Sequence, residues 1–404
     1  MIQIRPMTTE LTRNALFKKL SEKESTAFAI WISIAVFCIV QSLITHRYNN
    51  YLIFENTFRN LVNQSSLYGE YPLRHFDSNH YGPIFAVFFM PFALLPNWLG
   101  FFCWNLFNAI VLFKAIKTIP IKKHLPLYYI AIPCMAAASL SQQFNLAAGA
   151  FIILSFTQLN KNKGFWSAMF IMLGAFIKLY GIVGLAFFFF VRDKKRFIAY
   201  LTLWAVIFFV LPMLFSSPSY ILESYREWAS SLIHKNDSNI AAPTVDISIM
   251  GFVRTVYLHH DIPNSAFLLG GMMIFGLPYL NLKAYHNKKF QLYILASVLL
   301  FPVLFSTGSE DCTYIIAVSG IGIWYVYAEK TKFRSLLTAF VFVFSIDIPL
   351  LFFPNIGTRH PFLFSMLSLP FFVAWVIIIY QACMLKKESH FELDNKQYSE
   401  LRLT

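Results

Sequence analysis

Long hydrophobic runs separated by short polar gaps extend along almost the whole chain. A membrane-spanning helix needs about 20 apolar residues, or somewhat fewer where it is packed inside protein. Twelve runs qualify on that basis: 27–45, 98–115, 126–141, 144–159, 164–177, 179–191, 197–215, 265–282, 290–306, 313–328, 334–352 and 362–384. The pattern predicts an all-α integral membrane protein, a polytopic helical bundle that forms a single domain over residues 1–404.

Two apolar stretches need a separate interpretation. The run 82–95 is short and is interrupted by Pro91, so we expect a helix that lies in the outer interface or re-enters the membrane. The stretch 164–191 could form one long helix, but the basic segment 192–196 would then lie on the opposite face from the other basic gaps. A break near Lys178 removes that conflict and places Lys178 at the outer end of two short spans.

Lysine and arginine residues gather in every second gap between the runs. Of the 33 Lys and Arg residues, 25 lie in seven such gaps: 1–25, 114–125, 160–164, 192–196, 283–289, 329–334 and 385–404. Because basic loops face the cytoplasm, we assign these gaps and both termini to the inside. The net charge of +13 therefore needs no nucleic-acid partner, since membrane topology and anionic lipid account for it.

The same assignment defines the other face of the molecule. The first outer loop covers 46–81 and continues through the interfacial helix to residue 97, and the second covers 216–264. Short outer turns are expected at 142–143, 307–312 and 353–361, whereas 385–404 is a cytoplasmic tail. Candidate chemistry is therefore sought on the outer face.

Several kinds of chemistry are disfavoured by what the sequence lacks. The five cysteines form no C-x-x-C pair, so neither a disulfide framework nor a zinc site is expected. There is no Walker sequence and no G-x-G-x-x-G motif. ATP-driven transport and chemistry on cytoplasmic nucleotide sugars are accordingly not expected.

The first outer loop has the richest mixture of acids and bases. A carboxylate in a loop held against a membrane suits the role of a general base, although any single loop acid is more often simply solvated. The loop holds Glu55, Glu70 and Asp77 together with Arg74, His75 and His80. This combination predicts that the loop contributes to a site.

Ionisable residues within hydrophobic runs give a second group of candidates. Lys178 interrupts G-A-F-I-K-L-Y-G-I-V-G, and such a residue is costly unless it has a role. It could bind a lipid phosphate as a point charge, or it could anchor a helix end by extending to the interface. Asp347 is the acidic counterpart; it either pairs with a cation such as Arg359 or caps the outer end of a span.

Two polar outer turns complete the candidates. Gln143 and Asn145 could hydrogen-bond a sugar, or they could satisfy backbone groups where two helices break. Glu310 and Asp311 lie in T-G-S-E-D-C-T-Y. Oxygen ligands of this kind suit a divalent cation, but the spacing is not a metal motif, so the cofactor is left open.

Several motifs occur in an order typical of one group of membrane enzymes. They are L-Y-G-E-Y-P and F-D-S-N-H-Y-G-P-I-F in the first outer loop, Q-F-N-L at 143–146, F-I-K-L-Y-G-I-V-G at 176–184, S-I-M-G at 248–251 and E-D-C-T-Y-I-I-A-V at 310–318. The chain resembles membrane glycosyltransferases of the GT-C fold, and within them the mannosyltransferase-related, glycosyltransferase family 87-like group of Bacteroidetes-type bacteria. The resemblance covers nearly the whole chain.

The resemblance implies a polyprenyl-phosphate sugar as donor and a catalytic carboxylate in the first outer loop. It also implies attack on the anomeric carbon from the periplasmic face of a bacterial inner membrane. Related enzymes carry an Asp just after the first span, where this chain has Asn49 and Asn50. A neighbouring acid, Asp77 or Glu55, would then act as the base, and Asp77 is favoured because it lies in the well-matched F-D-x-x-x-Y-G-P stretch.

The leading hypothesis is therefore a hexosyltransferase, with mannose as the first candidate sugar and a glycan or lipid-linked acceptor. In it Lys178 and Arg74 stabilise the phosphate leaving group. Further substrate-binding residues are His80, Tyr81, Gln143, Asn145, Glu310, Asp347 and Arg359. The alternatives are a transporter or flippase of lipid-linked sugars without chemistry, and an assembly partner in envelope polysaccharide synthesis.

Overall fold

The computed structural model describes residues 23–242, 245–257, 262–346 and 362–385. This part of the chain is 78% helix and contains no strand, which confirms the all-α prediction. Asp347 and Arg359 lie outside the described residues, so their predicted pairing stays a prediction.

Sixteen α-helices make up the described part. In chain order they are α1 (Glu24–Ile44), α2 (Asn49–Asn63), α3 (Ile84–Ala93), α4 (Asn97–Thr118), α5 (Leu125–Ser141), α6 (Asn145–Asn160), α7 (Gly164–Ile177), α8 (Lys194–Val210), α9 (Pro218–Ala241), α10 (Ile249–Tyr257), α11 (Asn264–Gly276), α12 (Lys288–Leu304), α13 (Tyr314–Tyr327), α14 (Lys332–Phe344), α15 (Phe362–Ser365) and α16 (Ser368–Cys383). The longest 3₁₀ segment is Leu179–Phe190.

Four helices of the described residues are long and apolar enough to cross a membrane: Glu24–Ile44, Asn97–Thr118, Lys194–Leu214 and Leu363–Cys383. Shorter apolar helices accompany them, among them Gly164–Ile177 and Leu179–Phe190. The helices differ in burial. α12 and α13 are buried along most of their length, whereas α8 exposes large apolar side chains such as Leu203 and Val206. Exposed apolar helix faces are those that lipid would cover.

The predicted break at Lys178 is confirmed. α7 ends at Ile177 and the 3₁₀ segment starts at Leu179. A Cβ on Gly181 would lie 2.3 Å from the Gly174 carbonyl carbon, and one on Gly184 would lie 2.8 Å from Ile171 Cγ1. Contacts at 174–181 and 171–184 are those of an antiparallel hairpin, so Lys178 lies at its tip, and the glycines permit the close approach of the two arms.

Both predicted outer loops contain helices. The first includes α2, and the second includes α9 and α10. The run 82–95 forms the short helix α3, which contains Pro91; its placement relative to a membrane stays a prediction. These segments form helices because their apolar residues lie on one helix face, which packs against the bundle. Ile53 and Phe54 of α2, for example, are buried.

Turns that the charge pattern assigns to the outer face lie together at one end of the bundle. The Ile247 amide donates to the Ser309 carbonyl at 2.8 Å, and the Asn239 side chain donates to the Thr307 carbonyl at 3.0 Å. Asn50 Nδ2 donates to the Ser141 carbonyl at 2.7 Å. This convergence is what the predicted topology requires.

Candidate functional site

A chain of polar side chains at the tip of the Lys178 hairpin forms the first part of the candidate site. Lys178 Nζ donates to Asn145 Oδ1 at 2.7 Å. Asn145 Nδ2 donates in turn to Gln143 Oε1 at 3.2 Å, and Gln143 Nε2 donates to Glu310 Oε2 at 2.9 Å. Four residues singled out in the sequence, from three separate segments, therefore form one network, here called the Lys178 network.

Local backbone geometry brings these side chains together. Gln142 ends α5 in the left-handed region at φ 56°, and α6 starts three residues later, so Gln143 and Asn145 lie at a helix junction. Glu310 precedes a short 3₁₀ turn, Asp311–Thr313, and its amide donates to Thr313 Oγ1 at 3.3 Å. Asn145 is fully buried, which fixes the side chain that orients Lys178.

Aromatic rings surround the Lys178 ammonium. Its Nζ lies 4.6 Å from the centre of the Tyr180 ring and 5.9 Å from that of Tyr81, distances at which a cation is attracted to a ring face. In the described part of the chain, no carboxylate lies within 4.0 Å of this ammonium. An ammonium has three donors, so Lys178 retains capacity to bind an anion.

Asp77 lies elsewhere, on the wall of a cavity between the first outer loop and α9. The cavity has a volume of about 810 Å³, and its wall includes Glu70, Asp77, His80, Glu227, Ser231, His234 and Lys235. His80 Nδ1 is 2.9 Å from Ser231 Oγ, and Trp228 Nε1 donates to the His80 carbonyl at 3.0 Å. These contacts attach the loop to α9. We call this space the outer cavity.

The Asp77 carboxylate is held ionised by its neighbours. His80 Nε2 lies 3.6 Å from one carboxylate oxygen and Lys235 Nζ 3.5 Å from the other. The Ser78 amide donates to Oδ1 at 2.8 Å. His80, then the Ser78 amide and Lys235, hold the pKa of Asp77 well below its usual range, against an opposing effect of partial burial. Asp77 is thus ionised, and it is a weaker base than an ordinary carboxylate.

A hydrogen-bonded relay fixes the backbone at Asp77, whose φ is 70°. Arg74 Nη1 donates to Asn56 Oδ1 at 2.7 Å, so the amide of Asn56 faces His75 Nε2 at 3.2 Å. Since Nε2 must accept, the proton lies on Nδ1 and points to the Asp77 carbonyl at 3.1 Å. Burial lowers the pKa of His75, which favours this neutral form.

The structure places Glu55 and Arg74 away from the Lys178 network. Both line a small cavity of about 290 Å³. Glu55 is 7% exposed and accepts from Arg59 at 2.6 Å. Arg74 is committed to Asn56 in the relay to Asp77. Its predicted contact with the donor phosphate stays a prediction, as does the role of Glu55 as a base.

Asn49 and Asn50, the positions at which the resemblance implies an Asp, lie between the two parts of the site. Asn49 Nδ2 donates to the Phe76 carbonyl at 2.7 Å, and its Oδ1 accepts from the Phe76 amide at 3.0 Å. Asn50 bonds to Ser141, next to the turn that carries Gln143. The segment 77–81 connects the same two parts, because the Phe144 amide donates to the Tyr81 hydroxyl at 3.4 Å.

Sequence reasoning missed several residues of the site. Lys235 and Ser231 lie in the second outer loop. The only signal in the sequence was that both are polar residues in a predicted outer loop. Tyr180 donates from its hydroxyl to Ser306 Oγ at 3.0 Å and follows Lys178 closely, which was the available signal. Cys312 accepts from Asn145 at 3.3 Å; it lies in the outer turn 307–312, but a lone cysteine outside a C-x-x-C pair gives no signal of a role.

The described residues contain no preformed metal-binding site. No group of three or more His, Cys, Asp or Glu side chains there is arranged to hold a metal ion. Glu310 is instead bonded to Gln143. The requirement for a divalent cation therefore stays open.

An all-helical bundle with four helices long and apolar enough to cross a membrane, among the described residues, is the architecture of an α-helical membrane protein. Comparison with known families defines the class more closely: the sequence pattern of glycosyltransferase family 87 matches residues 79–307, more than half of the chain. The chain therefore belongs to glycosyltransferase family 87 and is a membrane glycosyltransferase in general terms. A search of curated proteins gave no significant match.

Proposed function

We propose that this protein transfers a hexose, with mannose as the first candidate, from a polyprenyl-phosphate donor to a glycan or lipid-linked acceptor. It would act at the periplasmic face of a bacterial inner membrane and cross that membrane twelve times, with both termini inside. Family membership supports glycosyl transfer. The observation that carries the donor assignment is the Lys178 network. It presents one cation at the tip of an apolar hairpin, and no carboxylate of the described residues lies within 4.0 Å of that cation.

The phosphate of the donor is assigned to Lys178. As the sugar leaves, negative charge grows on the phosphate oxygen, and a fixed ammonium stabilises that charge. Asn145 holds Nζ in place from one side while Tyr180 and Tyr81 flank it. The polyprenyl chain would lie against the exposed apolar surface beside the hairpin, where Leu179 and Ile182 are exposed.

The acceptor proton is assigned to Asp77. The acceptor oxygen forms a bond to the anomeric carbon, and the bond from that carbon to the phosphate oxygen breaks. Its electron pair leaves with the phosphate, and the hydroxyl proton passes to the Asp77 carboxylate. Two contacts of Asn49 with the backbone of Phe76 support this choice, because Phe76 precedes Asp77 and Asn49 is one of the two positions where the resemblance implies an Asp.

The remaining polar groups position substrates. Gln143 and Asn145 offer amide groups to the sugar or to the phosphate, and Glu310 orients Gln143. His80 and Tyr81 connect the outer cavity to the Lys178 network. The wall of the outer cavity includes Ser230, Ser231 and Ser238 besides its charged residues, and hydroxyl groups both donate and accept, which suits a sugar-bearing acceptor.

Reconstitution tests the proposal. Purified protein in vesicles is given a radiolabelled polyprenyl-phosphate hexose and a membrane extract as acceptor, and label is followed into glycan product and across the bilayer. The proposal predicts labelled product and release of polyprenyl phosphate. Movement of intact donor across the bilayer without product would overturn the proposal in favour of a flippase. If neither product nor movement of the donor is observed, the result would overturn it in favour of an assembly partner.

A further inference from the structure

A second cavity lies at the end of the bundle opposite the Lys178 network. It has a volume of about 820 Å³ and is lined by residues from four of the basic gaps that the charge pattern assigns to the inside. These gaps are 114–125, 160–164, 192–196 and 283–289. We call this space the basic cavity. It shares no lining residue with the outer cavity and holds no residue assigned to transfer.

Cations dominate the wall of the basic cavity. The wall includes Lys161, Lys163, Arg192, Arg196 and Lys288, against a single carboxylate, Asp193. Asp193 is already engaged, because its Oδ1 accepts from the Arg196 amide at 3.0 Å at the start of α8. Within the described ranges, no carboxylate lies within 4.0 Å of any of the five cations. The cavity therefore has a large uncompensated positive charge.

Helix ends of both kinds lie at the cavity. α7, α8 and α12 begin at Gly164, Lys194 and Lys288. α4, α6 and the 3₁₀ segment end at Thr118, Asn160 and Phe190, which also line the cavity. The partial charges of these helix ends oppose one another, so the positive charge of the cavity comes from its basic side chains. Membrane topology explains why the gaps are basic, but it does not require four of them to meet around one concave space.

One wall of the basic cavity is aromatic. Phe165, Trp166, Phe190 and Phe197 contribute to it, and Trp166 is 47% exposed. A phosphate group would fit the cations, and an attached acyl chain would fit the exposed indole at the apolar surface of α7. A free inorganic phosphate would use only the cationic part.

We propose that the basic cavity binds the phosphate headgroup of an anionic membrane lipid, with an acyl chain against Trp166. The site is separate from the proposed transfer site, on the other face of the bundle. It ties the hairpin arm 179–190, which carries Lys178 at its outer tip, to the inner leaflet, because Phe190 and Val191 line the same cavity.

Direct binding to the full-length protein in neutral detergent tests the proposal. The probes are dioctanoyl phosphatidylglycerol, dioctanoyl phosphatidylcholine and inorganic phosphate, measured by calorimetry. The cavity variant is Lys161→Gln with Lys163→Gln, and the matched control is Lys330→Gln with Lys332→Gln. The control removes two exposed cations of another basic gap that lies outside the cavity.

Phosphatidylglycerol should bind the wild type and the control alike, and the cavity variant should bind about tenfold more weakly or worse. Phosphatidylcholine should bind more weakly than phosphatidylglycerol in the wild type. Equal losses in the two variants would overturn the proposal, since diffuse basic charge would then suffice. Equal binding of the two lipids, or inorganic phosphate that binds as tightly as phosphatidylglycerol, would overturn it too.

Discussion

Lys178 and Asn145, 33 residues apart in sequence, meet at 2.7 Å between Nζ and Oδ1. Asn145 is fully buried, so its amide cannot easily follow a moving lysine, and the ammonium is held where the two hairpin arms meet. A cation fixed in this way loses little further freedom when it binds an anion. The pair is the structural basis for assigning the donor phosphate to this end of the bundle.

Lys178→Met should weaken donor binding by about tenfold to a hundredfold, the range expected for the loss of a charged hydrogen bond. Equilibrium binding of a polyprenyl-phosphate sugar to the purified variant measures it, and the melting temperature reports the fold. Lys235→Met is the matched control, because Lys235 faces Asp77 instead of the Lys178 network and should change donor binding little. Unchanged donor affinity in Lys178→Met would reduce Lys178 to an anchor of the helix end.

The relay through His75 predicts an acid-sensitive site. The pKa of His75 is lowered by burial in the folded protein, below the ordinary value of about 6.5. The neutral form is therefore favoured by folding: its stabilising contribution is present above about pH 6.5 and is lost as the pH falls through the lowered folded pKa. Transfer activity should fall in that window, before Asp77, whose pKa is lower still, takes up a proton.

His75→Asn is the test of that relay. An Asn side chain can donate to the Asp77 carbonyl but cannot titrate. The pH–activity profile of the variant should therefore lose the fall in activity that occurs at higher pH than the protonation of Asp77. Activity at neutral pH should fall only severalfold. An unaltered acid limb in the variant would show that another group causes it.

A buried ion pair lies beside the S-I-M-G motif at 248–251. Arg254 Nη1 lies 3.4 Å from Asp246 Oδ2, with the two side chains 2% and 3% exposed, and Ser248 Oγ donates to Asp246 at 2.5 Å. Asp246→Ala should cost about 3–5 kcal/mol of stability, because it leaves a buried guanidinium without its partner. Thermal unfolding of the purified variant measures this, with Glu223→Ala as control, since Glu223 forms an exposed pair with Arg226. Equal stability of the two variants would contradict it.

Labelling of single introduced cysteines tests the topology. The charge pattern places 46–81 and 216–264 outside, so Ser238→Cys and Ser66→Cys should react with an impermeant maleimide in intact spheroplasts. Ser238 is exposed and Ser66 half-buried, so Ser238→Cys should react faster. Lys195→Cys and Ser389→Cys should react only after lysis. Labelling of either from outside would overturn the twelve-span arrangement.

The sequence predicted the parts of the site better than their assembly. Lys178 could be predicted because a cation within an apolar run is costly unless it has a role. The hairpin could be predicted because one long helix would place the basic gap 192–196 on the wrong face of the membrane. The meeting of Gln143 with Glu310 could not be predicted, because the two lie 167 residues apart and tertiary packing alone joins them. Asn49 beside Phe76 was equally hidden, since that contact depends on α2, a helix inside what the pattern showed only as a polar loop.

The account rests most directly on the identity of the base, and transfer assays on carboxylate variants in reconstituted vesicles test it. Asp77→Asn should reduce turnover about a hundredfold or more, the usual scale for loss of a general base, while Glu55→Gln and Glu310→Gln cost less. Adding Asn50→Asp to Asp77→Asn should restore part of the activity, because Asn50 is one of the two positions where the resemblance implies a catalytic Asp. Full activity of Asp77→Asn, with loss in Glu55→Gln or Glu310→Gln, would contradict the account.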